Sequence, residues 1–208
     1  MNSIALQGVA KKYGSLFLFK NVTTTIYHGE RWAITGINGC GKSTLLKIIA
    51  GHVMPNKGSV TVTINDSTVD AMLQYNYMAY AAPYLEVPED MTMKQLIKFY
   101  FKFKRLQPKV ADQEAFVAIT NLAQSLDKPI KNFSSGMKQR LKLALAFLSD
   151  TPFLLLDEPL TNLDAQGYEW YKMLMQNYSD NRTVIISSNS VAEEIFVCNK
   201  TIRISDYQ

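Results

Sequence analysis

The residues with the most chemistry in their spacing are Gly36-Ile37-Asn38-Gly39-Cys40-Gly41-Lys42-Ser43-Thr44, a G-x-x-x-x-G-K-S run. That spacing is a phosphate cradle: successive backbone N–H groups point inward at a triphosphate, and the glycines let the turn close tightly. Lys42 would reach the β and γ phosphates, and the Ser43 hydroxyl would join the shell of a Mg²⁺ ion. A second group stands far downstream, where Phe153-Leu154-Leu155-Leu156 runs into Asp157-Glu158-Pro159. In a parallel sheet the C-terminal strand ends face the ligand crevice, so both carboxylates should emerge beside the cradle. Asp157 is expected to hold Mg²⁺ through a water, and Glu158 to polarise the water that attacks the γ-phosphate.

These groups need elements to hold them. Arg31 to Thr35 is short, largely apolar and β-prone, and suits a buried strand feeding the cradle. Lys42 to Ala50 carries Leu45, Leu46, Ile48 and Ile49 with Gly51 just beyond, which predicts a helix whose N-terminus faces the phosphate. Ile4 to Val9 and Leu16 to Tyr27 are β-prone runs broken at Lys11 to Gly14, and Val60, Val62 and Ile64 alternate, so this early region reads as antiparallel. Between Pro88 and about Asn132 the pattern turns helical, with Met93 to Leu106 and Gln113 to Leu126 as the main candidates. A helix carrying Leu141, Ala144, Leu145 and Leu148 follows, then the strand ending at Asp157, a helix near Tyr168 to Tyr178, the strand Thr183 to Ser187 and a β-prone Thr201 to Ile204. The expected architecture is α/β: a P-loop NTPase with a mainly parallel central sheet, an N-terminal antiparallel β subdomain and a small helical insertion. The whole chain reads as one domain, with its core over about 1–87 and 138–208 and the helical part over about 88–137.

Composition narrows the class. The chain has 208 residues, 47% apolar and 19% charged, which suits a globular protein and excludes a disordered one. No apolar run reaches the roughly 18 residues of a membrane span, and Met1 to Gly8 lacks a signal peptide's layout, so the expected compartment is the cytoplasm. Cys40 and Cys198 do not read as a disulfide framework. Cys40 lies beside a helix start and Lys42, where a thiol could be acidic, but a small tolerated side chain is the simpler reading. The net charge of +4 permits an acidic partner. Lys94, Lys98, Lys102, Arg105 and Lys109 recur at steps of three and four beside Leu96, Ile97, Tyr100, Phe101 and Leu106, which predicts an amphipathic helix with a basic, solvated face.

Phe133-Ser134-Ser135-Gly136-Met137-Lys138-Gln139-Arg140, shortly before the acidic strand end, resembles the L-S-G-G-Q signature of the ATP-binding subunits of ABC transporters. Physically, Ser134 and Gly136 would offer a hydroxyl and N–H groups at a helix start, a second anion site. The resemblance covers nearly the whole chain. It implies ATP as the nucleotide and a signature, Ser134 to Met137, that serves the ATP held by an opposite subunit. It also implies that Tyr13 stacks on adenine, and that Leu163-Asp164 is the D-loop at the dimer interface. Homodimer and heterodimer are both compatible, and the engine would work with separate membrane-spanning subunits, as a peripheral protein on the cytoplasmic face. No nucleic-acid partner is expected. Export is preferred over import, with the ATPase of the haem-export system of cytochrome c maturation as a minor substrate analogy.

The chain also departs from the family. Ala79 to Leu85 contains no glutamine where one normally contacts Mg²⁺ or the attacking water and links the site to the membrane partner. Gln74 lies too far upstream to replace it. Asn189 stands where the family has its switch histidine, and an amide can donate a hydrogen bond to phosphate but cannot carry a proton. Ser135 replaces the signature's first glycine and Met137 its glutamine. With Lys42, Ser43, Asp157 and Glu158 present, hydrolysis is expected at a reduced rate. The alternatives are a non-hydrolysing nucleotide switch that gates a partner, and a soluble ABC protein outside transport.

Overall fold

The computed structural model describes residues 1–208. The chain opens with a hairpin of β1 (Ser3–Tyr13) and β2 (Leu16–Tyr27). Next come β3 (Arg31–Thr35), α1 (Lys42–Ile49), β4 (Lys57–Ile64), the short β5 (Ser67–Thr68) and, after a 3₁₀ turn over Ala71–Tyr77, β6 (Met78–Ala81). Then follow α2 (Met93–Tyr100), α3 (Gln113–Thr120), α4 (Ser135–Phe147), β7 (Phe153–Asp157), α5 (Ala165–Tyr178), β8 (Thr183–Ser188), α6 (Ala192–Ile195) and β9 (Lys200–Arg203).

Two sheets form, as the periodicities predict. One is antiparallel in the order β2-β1-β4-β5, the other parallel in the order β6-β7-β8-β3-β9. The parallel sheet's central strands bury both faces, which is why Phe153 to Leu156 reads as a continuous apolar run rather than an alternation. Phe153, Leu155, Ile185 and Ile34 face α1 and the antiparallel sheet, packing with Leu45, Leu46 and Phe19. Leu154, Leu156, Val184 and Ile186 face the other way, onto Leu141 and Phe147 of α4 and Tyr171 and Leu174 of α5. Each such side chain contributes about 1.5–3 kcal/mol by leaving water. This double layer fixes the C-terminal ends of β3, β7 and β8 side by side, with Thr35 beside Ser188 and Asp157 beside Ser187.

Three sequence expectations give way. β1 runs on through Lys11 to Tyr13, and the break comes only at Gly14, whose φ of 59° suits glycine. α2 stops at Tyr100 rather than Leu106, because the chain turns and Lys104 reaches back to the Met78 carbonyl at 2.9 Å, while the Gln107 amide donates to Leu148. Lys94 and Lys98 therefore share a helix, but Lys102 and Arg105 lie beyond it and Lys109 pairs with Asp180 at 3.1 Å, so no continuous basic helix face exists. α3 likewise stops at Thr120, where Asn121 turns left-handed at φ 57° and the Thr120 hydroxyl accepts the Leu122 amide.

Candidate active site

The cradle joins β3 to α1. Gly41 takes the position before the first helical residue at φ 113°, and a Cβ there would lie 3.1 Å from Leu18 Cβ and from the Phe19 ring, so only glycine fits without displacing β2. Cys40 is buried, and its Sγ would lie 2.6 Å from a Cβ added at Gly36, so the thiol fills the inside of the turn. Ile37, Asn38 and Gly39 form the exposed outer lip. Lys42 is only 4% exposed, and its ammonium donates to the Gly36 and Ile37 carbonyls, both at 3.0 Å. A cavity of about 140 Å³ opens between Asn38, Gly39, Lys42, Ser43, Thr44 and Glu158. Tyr13 lies outside that lining, 59% exposed at the end of β1, with the Lys11 ammonium 5.4 Å from its ring centroid.

Asp157 closes β7 fully buried, and both its oxygens have donors. Ser43 Oγ donates to Oδ1 at 3.0 Å, and the Tyr84 hydroxyl donates to Oδ2 at 2.6 Å. A hydroxyl facing a carboxylate at the mouth of a phosphate cradle is a fitting oxygen donor set for Mg²⁺, which prefers few protein ligands and keeps its waters. Glu158 follows in a left-handed conformation, φ 42°, its amide donating to the Ser187 carbonyl at 2.8 Å. That turn swings its carboxylate out of the strand line and into the cavity wall, where Asn189 Nδ2 donates to Oε1 at 3.2 Å. The departure at position 189 thus meets the acidic end: Asn189 is paired with Glu158.

Sequence reasoning missed two participants. Tyr84 follows the glutamine-free strand, and the only local sign was a tyrosine among small residues. Glu194 on α6 is 4% exposed, accepts the Leu160 amide at 3.2 Å and pairs with the Ser188 hydroxyl, which in turn accepts the Val191 amide. It ties the turn after Glu158 to the turn carrying Asn189. Burial raises its pKa above the ordinary 4.5, and the Ser188 and Leu160 donors oppose that rise. Gln74 is buried beside Gly51, at the end of α1 away from the cradle, so it stands in for nothing at the site.

The signature region lies elsewhere on the chain. Ser134 caps α4, accepting the Met137 amide at 3.2 Å, with Ser135 exposed beside it. A Cβ on Gly136 would come 2.9 Å from the Asn162 carbonyl, so glycine is needed there for the close approach of the segment after Glu158. Leu163 packs against the core, and Asp164 caps α5 through the Gly167 amide at 2.7 Å with Arg140 3.6 Å away. Ser134, Gly136, Met137, Asn162, Leu163 and Asp164 line one groove of about 640 Å³, and none of its residues lines the cradle's cavity. The groove and the cradle's cavity are thus two separate features of one chain.

Residues 19–161 match the family described as ABC transporter. The chain belongs to that family. This ABC cassette is 32% identical over 195 residues to an uncharacterized ABC transporter ATP-binding protein of Bacillus subtilis, a match covering 91% of this chain and 62% of that one. It is 30% identical to a bicarbonate transport ATP-binding protein of a Synechocystis strain, over 98% of this chain and 74% of the relative. The cassette thus spans less than two thirds of the Bacillus protein's length. A dimeric ATP-binding cassette solved in a post-hydrolysis state with ADP and Pi shares the fold at a TM-score of 0.79 and 23% identity, over 96% of this chain and 93% of that one. No helix of the cassette is long and apolar enough to cross a membrane.

Proposed function

We propose that this cassette binds ATP with Mg²⁺ at the cradle, pairs with a second cassette so that each signature closes on the other's nucleotide, and hydrolyses ATP to move separate membrane-spanning partners. One observation carries the reading: Lys42, Ser43, Asp157 and Glu158, drawn from two distant segments, converge on the mouth of one loop. In this reading Gly36 to Thr44 hold the phosphates through backbone N–H groups, with Lys42 turning its ammonium from the loop carbonyls to the β and γ oxygens. Ser43 and Asp157 would hold the metal, which when bound offsets the negative charge that gathers on the phosphate oxygens. Glu158, steadied by the Asn189 amide, polarises the attacking water. The Ser134 to Met137 helix start would meet the partner cassette's γ-phosphate, with Leu163 and Asp164 alongside, and Tyr13 would stack on adenine.

Segment 88–137 is the proposed helical subdomain and the side that meets the membrane partner on the cytoplasmic face. Phe99 and Phe103, an edge-to-face pair with ring centroids 5.2 Å apart, are exposed there. Direction and cargo belong to those partner chains, so an export preference rests on nothing in this one. The purified cassette should release phosphate from Mg²⁺-ATP slowly, and Glu158→Gln should nearly abolish release while ATP still binds. Unchanged release in Glu158→Gln would remove that residue from its role, and no release from the parent chain would favour the nucleotide-switch alternative, which the Asn189 replacement motivates. Co-purification of a multi-span protein from membranes tests the transport partnership.

A further inference from the structure

Tyr84 makes a set of contacts that the nucleotide reading leaves unused. A phenol has one proton, and here it goes to Asp157 Oδ2 at 2.6 Å. The hydroxyl of Tyr80, which meets the Tyr84 hydroxyl, must then be the donor of that second bond. The result is a directed chain, Tyr80 to Tyr84 to Asp157, that ends on the carboxylate whose other oxygen faces Ser43. Burial raises the pKa of both phenols, and the Asp157 charge adds to the effect, so both keep their protons at neutral pH.

Three elements fix the position of this phenol. The Lys47 ammonium of α1 lies 3.9 Å from the Tyr84 ring centroid, within cation–π range. The Lys142 ammonium of α4 donates to the Pro83 carbonyl at 2.5 Å and so pins the preceding residue. The hydroxyl itself is tied to the end of β7. We propose that Tyr84 is a positioning residue for the metal-binding carboxylate: it holds Asp157 Oδ2, which leaves Oδ1 aimed at Ser43 and the ion. The inference rests on the reading of Ser43 and Asp157 as the residues that hold the metal. Outer hydrogen bonds of this kind orient ligating carboxylates and raise metal affinity about 10–100-fold. The Lys142–Pro83 bond ties the carboxylate's aim to α4, the helix whose first turn carries Ser134 to Met137.

The test uses the full chain with ADP and Mn²⁺, free Mn²⁺ being read by electron paramagnetic resonance. Tyr84→Phe keeps the ring and the seat of Lys47 while deleting the one hydroxyl. It should weaken Mn²⁺ binding about tenfold and leave ADP binding in EDTA unchanged, a split that a general loss of stability would not produce. Tyr80→Phe, which removes only the outer donor, should cause a smaller loss. Asp157→Asn separates the inference from the reading beneath it. If Asp157→Asn loses Mn²⁺ and Tyr84→Phe binds it as the parent does, the positioning role falls and the metal site stands. If neither variant loses Mn²⁺, the metal-site reading itself fails. A loss in Tyr84→Phe without one in Asp157→Asn would also overturn the proposal, because the phenol would then act by another route.

Discussion

A carboxylate that must take a proton from water works best when its partner steadies it without competing for that proton. In the proposed role of Glu158, Asn189 meets this description, because its amide donates one hydrogen bond to Glu158 Oε1 at 3.2 Å and has no titration of its own. A histidine at the same position would titrate between about pH 5 and 8 and would introduce a charge next to Glu158. The parent cassette should therefore show no histidine limb from this position in its rate profile. Asn189→His is expected to preserve or raise phosphate release, and to add a pH dependence near 6.5, the ordinary imidazole value. Phosphate release followed across that range checks both statements. A sharp fall at every pH would show that the site is built around the amide's geometry instead.

α6 is a single turn, yet it braces the candidate site from behind. Glu194 reaches from it to the Leu160 amide and to the Ser188 hydroxyl, so one carboxylate sets the spacing between the Glu158 turn and the Asn189 turn. Its raised pKa has a defined sign for stability. The folded chain holds the Glu194 proton more tightly than the unfolded one, so this group's contribution is fully present below about pH 4.5 and is lost as pH rises from there through the folded value. Glu194→Gln should flatten that limb of the stability curve, as measured by denaturant unfolding at a series of pH values. An unchanged pH slope would show that Glu194 is not its source. None of this was visible in the sequence, where Glu194 is one of two adjacent glutamates. The cradle was legible because its glycines, Lys42 and Ser43 are neighbours whose spacing alone implies the loop. The acidic strand end was legible because an apolar run buried on both faces looks unlike any other segment. Tyr84 and Asp157 meet across 73 residues, and Glu194 and Leu160 across 34, so they are products of sheet order rather than of local pattern. The ends of α2 and α3 escaped for the same reason, since Lys104 and Asn121 stop those helices through contacts and backbone geometry that periodicity cannot report.

At the scale of the molecule, α4, α5 and the segment leading into β7 are clamped together at the sheet end away from the cradle. Arg182, 5% exposed, has no carboxylate partner and donates to the Phe147 and Thr151 carbonyls at 2.8 Å, with further bonds to Ala146 and Tyr178. The Ala146, Phe147 and Tyr178 carbonyls are the last of α4 and α5, where the helix dipole favours a cation, and Thr151 lies just ahead of β7. Burial lowers the Arg182 pKa to about 10, so it remains charged at neutral pH. Arg182→Met removes these donors, with only the Phe147 and Tyr178 carbonyls keeping Gln107 Nε2 as a partner, and should destabilise the fold by about 3 kcal/mol, a fall in melting temperature of roughly 10 °C for a chain of this size. A melting temperature within a degree or two of the parent would show the clamp to be idle. The other end of the sheet carries a liability of the opposite kind. Glu158 is held left-handed at φ 42°, a conformation that costs a side-chain-bearing residue about 1–2 kcal/mol and costs glycine almost nothing. Substituting glycine there would relax the turn while deleting the carboxylate. Under the proposed role of Glu158, selection for stability alone would drift toward an inert cassette, and the glutamate holds its place in this turn against a standing conformational cost.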